Sequence, residues 1–302
     1  MAHYMVLPYN PLNNSTLGLV TGDLMGQQVE GHGTSWSGDS ALTLATISSL
    51  SYGYNLTDLM DRYLDWYRSG EYNNQDERPK NVGETTFFAL NKYAHTKDPF
   101  NSGGRDISDN GNGALMHITP VILYLRAKYG EDFILHDPAM LVLHQVTGLT
   151  HNHPQSLIAS GIYALIVNNL LQNIPPVEAV DLAVSSSYEY YAQHKIFADH
   201  LSAFQGLNKP DLKSVAITSL QTSGYVVDTL EASIWVVLNS NTFAEALSLA
   251  KSLPGEPHRV MPLVGALAGV LYHQEVVDDI DENTFEPVLK VLKIAEQSHN
   301  FN

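Results

Sequence analysis

The segment LPGEPHRVMPLVGALAGVLYH (253–273) sets Glu256, His258 and Arg259 around Pro257, directly before an apolar run. A carboxylate, an imidazole and a guanidinium at the edge of an apolar interior are expensive to desolvate unless they pair with each other or with a ligand. Four other segments share that design of a polar stretch feeding an apolar helix. TGDLMGQQVEGHG (21–33) supplies the carboxylates of Asp23 and Glu30, while Gly22 and Gly26 let the backbone pass close to a neighbour. TSWSGDSALTLATISSL (34–50) puts Ser37, Asp39 and Ser40 at a helix start. SDNGNGALMHITPVILY (108–124) places Asp109 and Asn112 ahead of Gly113, where a nest of backbone N–H groups suits an anion or a sugar hydroxyl. LTHNHPQSLIASGIYALIV (149–167) gathers Thr150, His151, Asn152 and His153 before Pro154, at the positive end of a helix dipole that favours phosphate.

Each cluster also has a plain structural reading. Ser37, Asp39 and Ser40 are natural N-caps, Asp23 reads equally as a cap and Glu30 as surface charge. His151 and His153, two residues apart, point to different sides of a helix, so they read more readily as hydrogen-bonded buried imidazoles than as a metal pair.

These groups need rigid elements to position them. Apolar residues recur at three- and four-residue spacing through roughly 39–52, 57–69, 113–129, 154–172, 177–195, 226–239, 242–252, 259–273 and 285–298, and sustained strand alternation is hard to find. The expected fold is therefore all-α, a single-domain multi-helical bundle over 1–302, with central helices apolar on nearly every face. Gly265 and Gly269, four apart, let their helix approach a neighbour at backbone distance. The stretches 70–84 and 98–113 read as long loops, and ordering such loops costs entropy that a function commonly offsets. A balance of 16 Lys+Arg against 32 Asp+Glu, formally −16, argues against a nucleic-acid or anionic-membrane surface. An anionic ligand would have to be held by local devices such as helix N-termini. Cysteine is absent, which excludes disulfides and thiolate metal sites. With no leader pattern and no long apolar stretch, a soluble cytoplasmic protein is expected.

Taken in order, the segments resemble the ADP-ribosylglycohydrolase family, from about Leu17 to Tyr272. LGLVTGDLMGQQVEG is similar to its opening G-D-x-x-G-x-x-x-E helix, and WSGDSALTLATISSL falls where the family has W-T-D-D-T. VGETTFFAL (82–90), GNGALMHITP (111–120), THNHPQS (150–156), GYVVDTLEASIWVVLNSNTFAEAL (224–247) and GALAGVLY (265–272) follow in family order. The resemblance implies an all-α fold, two Mg²⁺ ions held between W-T-D-D-T and a G-G-D-T-D-T loop, and hydrolysis at C1 of ADP-ribose on a modified acceptor. It further implies that the loops at 111–113, 150–154 and 222–228 hold the ligand, through Asn112, Gly113, His151, His153, Ser223, Gly224 and Tyr225, with Arg259 added. Asp109 and Glu30 match functional acids of the family, and with Asp39 they are the candidate catalytic groups.

The metal motifs depart from this pattern. Ser37 keeps the oxygen of the family Thr, Gly38 stands where the first Asp would be, and Asp39 keeps the second. Glu256 and His258 replace the two Asp of the other loop, and Arg259 replaces its Thr. Two carboxylates and one guanidinium sum to about −1, against the four positive charges of two Mg²⁺ ions. The expectation is thus no two-metal centre. Either Arg259 takes the cations' place, or a single softer ion sits on Ser37, Asp39, Glu256 and His258. Three functions follow: a divergent hydrolase, a silent ADP-ribose binder, and, more remotely, a structural scaffold of the lens-crystallin kind.

Overall fold

The computed structural model describes residues 10–75, 77–133, 136–207, 212–272 and 282–302. It is all-α, as expected. The helices are α1 (Pro11–Val29), α2 (Gly38–Leu50), α3 (Leu56–Ser69), α4 (Glu84–Thr96), the single turn α5 (Gly113–Met116), α6 (Thr119–Tyr129), α7 (Asp137–Thr147), α8 (Pro154–Leu171), α9 (Pro176–Ala192), the single turn α10 (Lys195–Ala198), α11 (Val226–Leu238), α12 (Phe243–Lys251), α13 (Met261–Leu271) and α14 (Glu282–Ser298). Among the described residues extended pairing is limited to two isolated bridges, Gly104 with His151 and Gly111 with Tyr225. No described helix is long and apolar enough to cross a membrane.

The centre of the bundle is α8, buried on every face from Gln155 to Asn168 and packed against α7, α9, α11 and α13. Its apolar composition all round is what a central helix requires. The closest helix pair is α1 with α13. A side chain on Gly18 would run into the carbonyl of Gly265, one on Gly22 into that of Met261, and one on Gly269 into that of Asn14. Glycines on both helices thus form a seam along which the backbones touch. The expected partner for Gly265 and Gly269 is therefore α1, and the seam fixes the 254–260 loop against the C-terminal end of α1.

Three helices depart from the periodicity reading. The stretch 21–33 reads by composition as a polar loop, yet most of it is the second half of α1, capped at its start by Asn10 accepting from Leu12 N at 2.8 Å. Buried on almost every side, α1 carries no amphipathic stripe to betray it. Helices α4 and α7 had no counterpart among the periodic segments either. The run 113–129 is broken at His117–Ile118, because Pro120 starts a new helix instead of continuing α5. His273, the last residue of the 253–273 segment, lies outside the described residues.

Candidate active site

The site begins where α1 meets α2. Asp23 is 1% exposed, and its Oδ2 accepts from Ser37 N (2.9 Å), Ser37 Oγ (3.0 Å), Ser40 N (3.2 Å) and Ser40 Oγ (2.6 Å). It does act as a cap, but for α2 and not for its own helix. Ser37 is the N-cap of α2, accepting from Asp39 N at 3.1 Å, so Asp39 lies in the first turn. Burial raises the Asp23 pKa despite those four hydrogen bonds. Burial, and then the charge of Asp23, push Asp39 up to about 8, with Arg259 pulling the other way.

The opposite wall is built from three loops. Asn112 N donates to Gly224 O and Val226 N to Asn110 O, both at 2.9 Å, which zips 110–112 to 224–226. Asn112 Nδ2 donates to Thr229 Oγ1 (3.0 Å) and to the carbonyl of Arg259 (2.9 Å), tying this turn to the 254–260 loop. His151 lies under the turn: a Cβ on Gly113 would sit 3.0 Å from His151 Cε1, and one on Gly111 3.1 Å from its Nε2. His151 Nδ1 pairs with Thr150 Oγ1 at 2.8 Å, and burial, partly offset by the charge of Asp109, lowers its pKa to about 4.

Between the walls stands the short 3₁₀ turn Pro257–Arg259. It is pinned from behind by Thr222 Oγ1, which donates to Pro254 O and accepts from Glu256 N. His258 Nδ1 lies 2.9 Å from Glu30 Oε1, Arg259 forms an ion pair with Glu256 at 3.0 Å between Nε and Oε1, and neither contact has hydrogen-bond alignment. The Arg259 Nη atoms have no protein acceptor among the described residues, and a Cβ on Gly224 would sit 3.0 Å from Nη1. A cavity of about 590 Å³ opens here, and Ser37, Gly38, Asp39, Asn112, Gly113, His151, Gly224, His258 and Arg259 all line it. A second cavity of about 400 Å³ adjoins it through Gln27, His32, Ser37 and Lys80.

The remaining candidates lie one step behind this lining. Glu30 and Glu256 touch it through His258 and Arg259. Ser223 Oγ donates to Asp228 Oδ2 at 2.5 Å and accepts from Tyr225 N, while Tyr225 OH donates to Gln155 Oε1 at 3.1 Å. His153 caps α8, accepting from Gln155 N at 3.2 Å, and stacks edge-on against His200. Asp109 accepts from Asp106 N at 2.8 Å and closes a 3₁₀ turn beside Gly104. Sequence reasoning missed Trp66, Lys80, Asn81, Thr85 and Thr86, which also line the cavity. The motif VGETTFFAL was the available signal, but it carries no metal-ligating or nucleophilic residue type that stands out.

A two-Mg²⁺ centre does not fit these residues. Gly38 offers no ligand, and a Cβ there would lie 2.8 Å from the Trp66 ring, so indole fills the space a carboxylate would need. The positive charge near Asp39 is that of the Arg259 guanidinium, which pulls its pKa down against the effect of burial. Among the described residues no group of three or more His, Asp or Glu side chains converges as a metal would require.

An all-α bundle with a polar cleft at converging helix ends and tight loops defines a class, and comparison with known proteins specifies it. The family model for ADP-ribosylglycohydrolase matches residues 13–293, and the chain belongs to that family. It is 28% identical over 244 residues to the ADP-ribosylarginine hydrolase Tri1 of Serratia proteamaculans, covering 78% of this chain and 59% of that protein. It is 27% identical over 247 residues to the ADP-ribosyl-[dinitrogen reductase] glycohydrolase of Rhodospirillum rubrum, covering 80% and 69%. The match to Tri1 thus spans well under two thirds of that relative's length. A solved structure described as an ADP-ribosylglycohydrolase-related protein complex superposes with a TM-score of 0.69 at 24% identity, over 97% of each chain, and shares the fold.

Proposed function

We propose that the protein is a hydrolase that cleaves the glycosidic bond at C1 of ADP-ribose on a modified acceptor, without a two-metal centre. The observation that carries this reading is the composition of the cavity: a guanidinium that meets Glu256 through Nε and a glycine-turn wall face a protonatable carboxyl across about 590 Å³. Family membership supports the substrate class, and the relatives named above are hydrolases of ADP-ribosylated proteins.

In this reading Arg259 directs its free Nη donors at a ribose hydroxyl or phosphate, as the cations do in the family pattern. Asp39, neutral below about pH 8, is the proton donor to the leaving atom, in the way a raised carboxyl serves glycosidases. His258, with Nδ1 against Glu30, takes a proton from the attacking water. Asp109 orients His151 electrostatically from behind the lining. The oxocarbenium-like transition state is then flanked by an acid and a base held on different elements.

The test is release of ADP-ribose from ADP-ribosylated arginine by purified protein in excess chelator, with an ADP-ribose titration by calorimetry. Turnover in chelator supports the reading. Micromolar binding without turnover, with or without added metal, would instead establish a silent binder, the reading favoured by the missing ligand at Gly38. Absence of binding rejects both.

A further inference from the structure

A cavity of about 650 Å³ lies between the end of α2, α3, the turn 70–73 and α14, and it shares no lining residue with the cavity of about 590 Å³. We propose that it is a second binding site, for an uncharged ring that carries hydroxyl groups: a pyranose, or the base and ribose of a nucleoside. The proposal is independent of the ADP-ribose reading. Its volume falls in the range of small-molecule sites, about 300–1,000 Å³.

The charges around this cavity come in opposed pairs. Arg62 Nε donates to Asp58 Oδ2 at 2.8 Å, and Lys290 Nζ lies 2.9 Å from Glu286 Oε1. Glu71 adds one exposed carboxylate to the lining. No net positive charge collects an anion here, and a guanidinium and an ammonium oppose a cation. What the lining offers is donors and acceptors side by side. Hydroxyl groups, which donate and accept at once, match such a surface.

The donors are held in advance. Tyr72 has a left-handed backbone, φ 69°, which residues other than glycine seldom adopt. Its carbonyl accepts from Trp36 Nε1 at 3.0 Å, and Asn73 N closes the turn onto Gly70 O at 3.0 Å. So placed, Tyr72 OH accepts from Arg62 Nη1 at 2.9 Å, and its own proton meets no acceptor among the described residues. Arg62 is thus engaged at Nε and Nη1, which leaves Nη2 for a ligand. Tyr52 supplies a flat wall. Its ring is 76% exposed, with Arg62 Cζ 5.7 Å from the centroid, so one face is covered by the guanidinium and the other is open to the CH face of a sugar or to a base. Val291 and Ile294 of α14 add apolar surface to the lining.

Saturation-transfer NMR on the full chain, with methyl α-glucoside and adenosine as separate probes, tests this and tells a sugar from a nucleoside. Tryptophan emission gives a second readout, because the 70–73 turn accepts from both Trp36 Nε1 and Trp66 Nε1. At least one probe should bind. Tyr52→Ala should weaken that binding roughly tenfold, while Tyr52→Phe, which keeps the ring, should preserve it. Tyr72→Phe, which removes the hydroxyl, should weaken it roughly fivefold. If Tyr72→Phe shifts the thermal melt, the exposed Tyr52 pair alone decides. The proposal is overturned if neither probe binds, or if binding is the same in Tyr52→Ala, which would put the probe elsewhere. It is also overturned if inorganic phosphate or spermidine binds more tightly with the same dependence on Tyr52, since the site would then read charge.

Discussion

The two walls of the cavity bury titratable groups of opposite kind, and burial drives both toward neutrality. On the α1–α2 side Asp23 is pushed up and Asp39 reaches about 8. On the α5–α8 side His151 falls to about 4 and His117 to about 3. In each case desolvation is the largest cause, because a charge without a full set of partners is disfavoured in a dry interior. The lesson is that the fixed charge of the site lies on its rim, at Lys80, Glu84, Glu256 and Arg259, and not in its walls. Two cations and two carboxylates cancel there, with Lys80 also paired to Glu77 and Arg259 to Glu256, so in a protein of net charge −16 an anion must be held by local donors and not by the net charge of the rim.

The largest effect should come from dismantling the carboxylate wall. Asp23→Ala removes the acceptor of two backbone and two side-chain donors at the start of α2. Leaving those groups unsatisfied should cost about 3 kcal/mol, measured by urea unfolding. A loss below about 1 kcal/mol would mean that water reaches these donors and that the wall is not dry. Next in size is Arg259→Ala, which takes away the rim cation and should weaken ADP-ribose binding by about 2 kcal/mol, or roughly thirtyfold. Arg259→Lys should recover little of it, because an ammonium cannot present the planar fork.

A third change separates the walls by pH. Asp39 binds its proton more tightly folded than unfolded, so the native chain loses stability as pH rises from about 4 to about 8. Asp39→Asn does not titrate, and its stability relative to the native chain should climb through that window and then level. Its turnover should be abolished, and native turnover should decline above about pH 8. An unchanged alkaline limb in the variant would remove Asp39 from the role of acid.

Much of this was legible in the sequence. Gly265 and Gly269 announced a backbone-close helix pair, and the motifs at 34–50, 108–124, 149–167 and 253–273 do meet in one cavity. What escaped were elements whose signal is not periodic. Helix α1, buried on nearly all faces, shows no periodic stripe and was legible as a helix only through the family resemblance, and α4 reads as the end of a loop. Trp66 could not be placed because nothing in a linear pattern says that an indole fills the space above Gly38.

The smallest expected effect probes the histidine wall. His117 is fully buried at the end of α5, edge-on to Tyr63 at 5.3 Å, and neither ring nitrogen has a partner among the described residues. Its folded pKa of about 3 lies below that of an unfolded histidine, so between roughly pH 6.5 and 3 the unfolded chain takes up a proton that the folded chain refuses. Stability must then fall on acidification, at up to about 1.4 kcal/mol per pH unit from this residue. His117→Phe keeps a ring against Tyr63, removes two unsatisfied nitrogens and cannot titrate. Its stability at pH 8 should match or exceed that of the native chain, and its acid limb should be shallower by that slope, as urea midpoints from pH 8 to 4 would record. His151, whose charge also helps lower His117, keeps Thr150 as the partner of its Nδ1 and should still contribute its own proton in the variant. If the two acid limbs superimpose, His117 is solvated in the folded state, and the wall it supports is wetter than its packing implies.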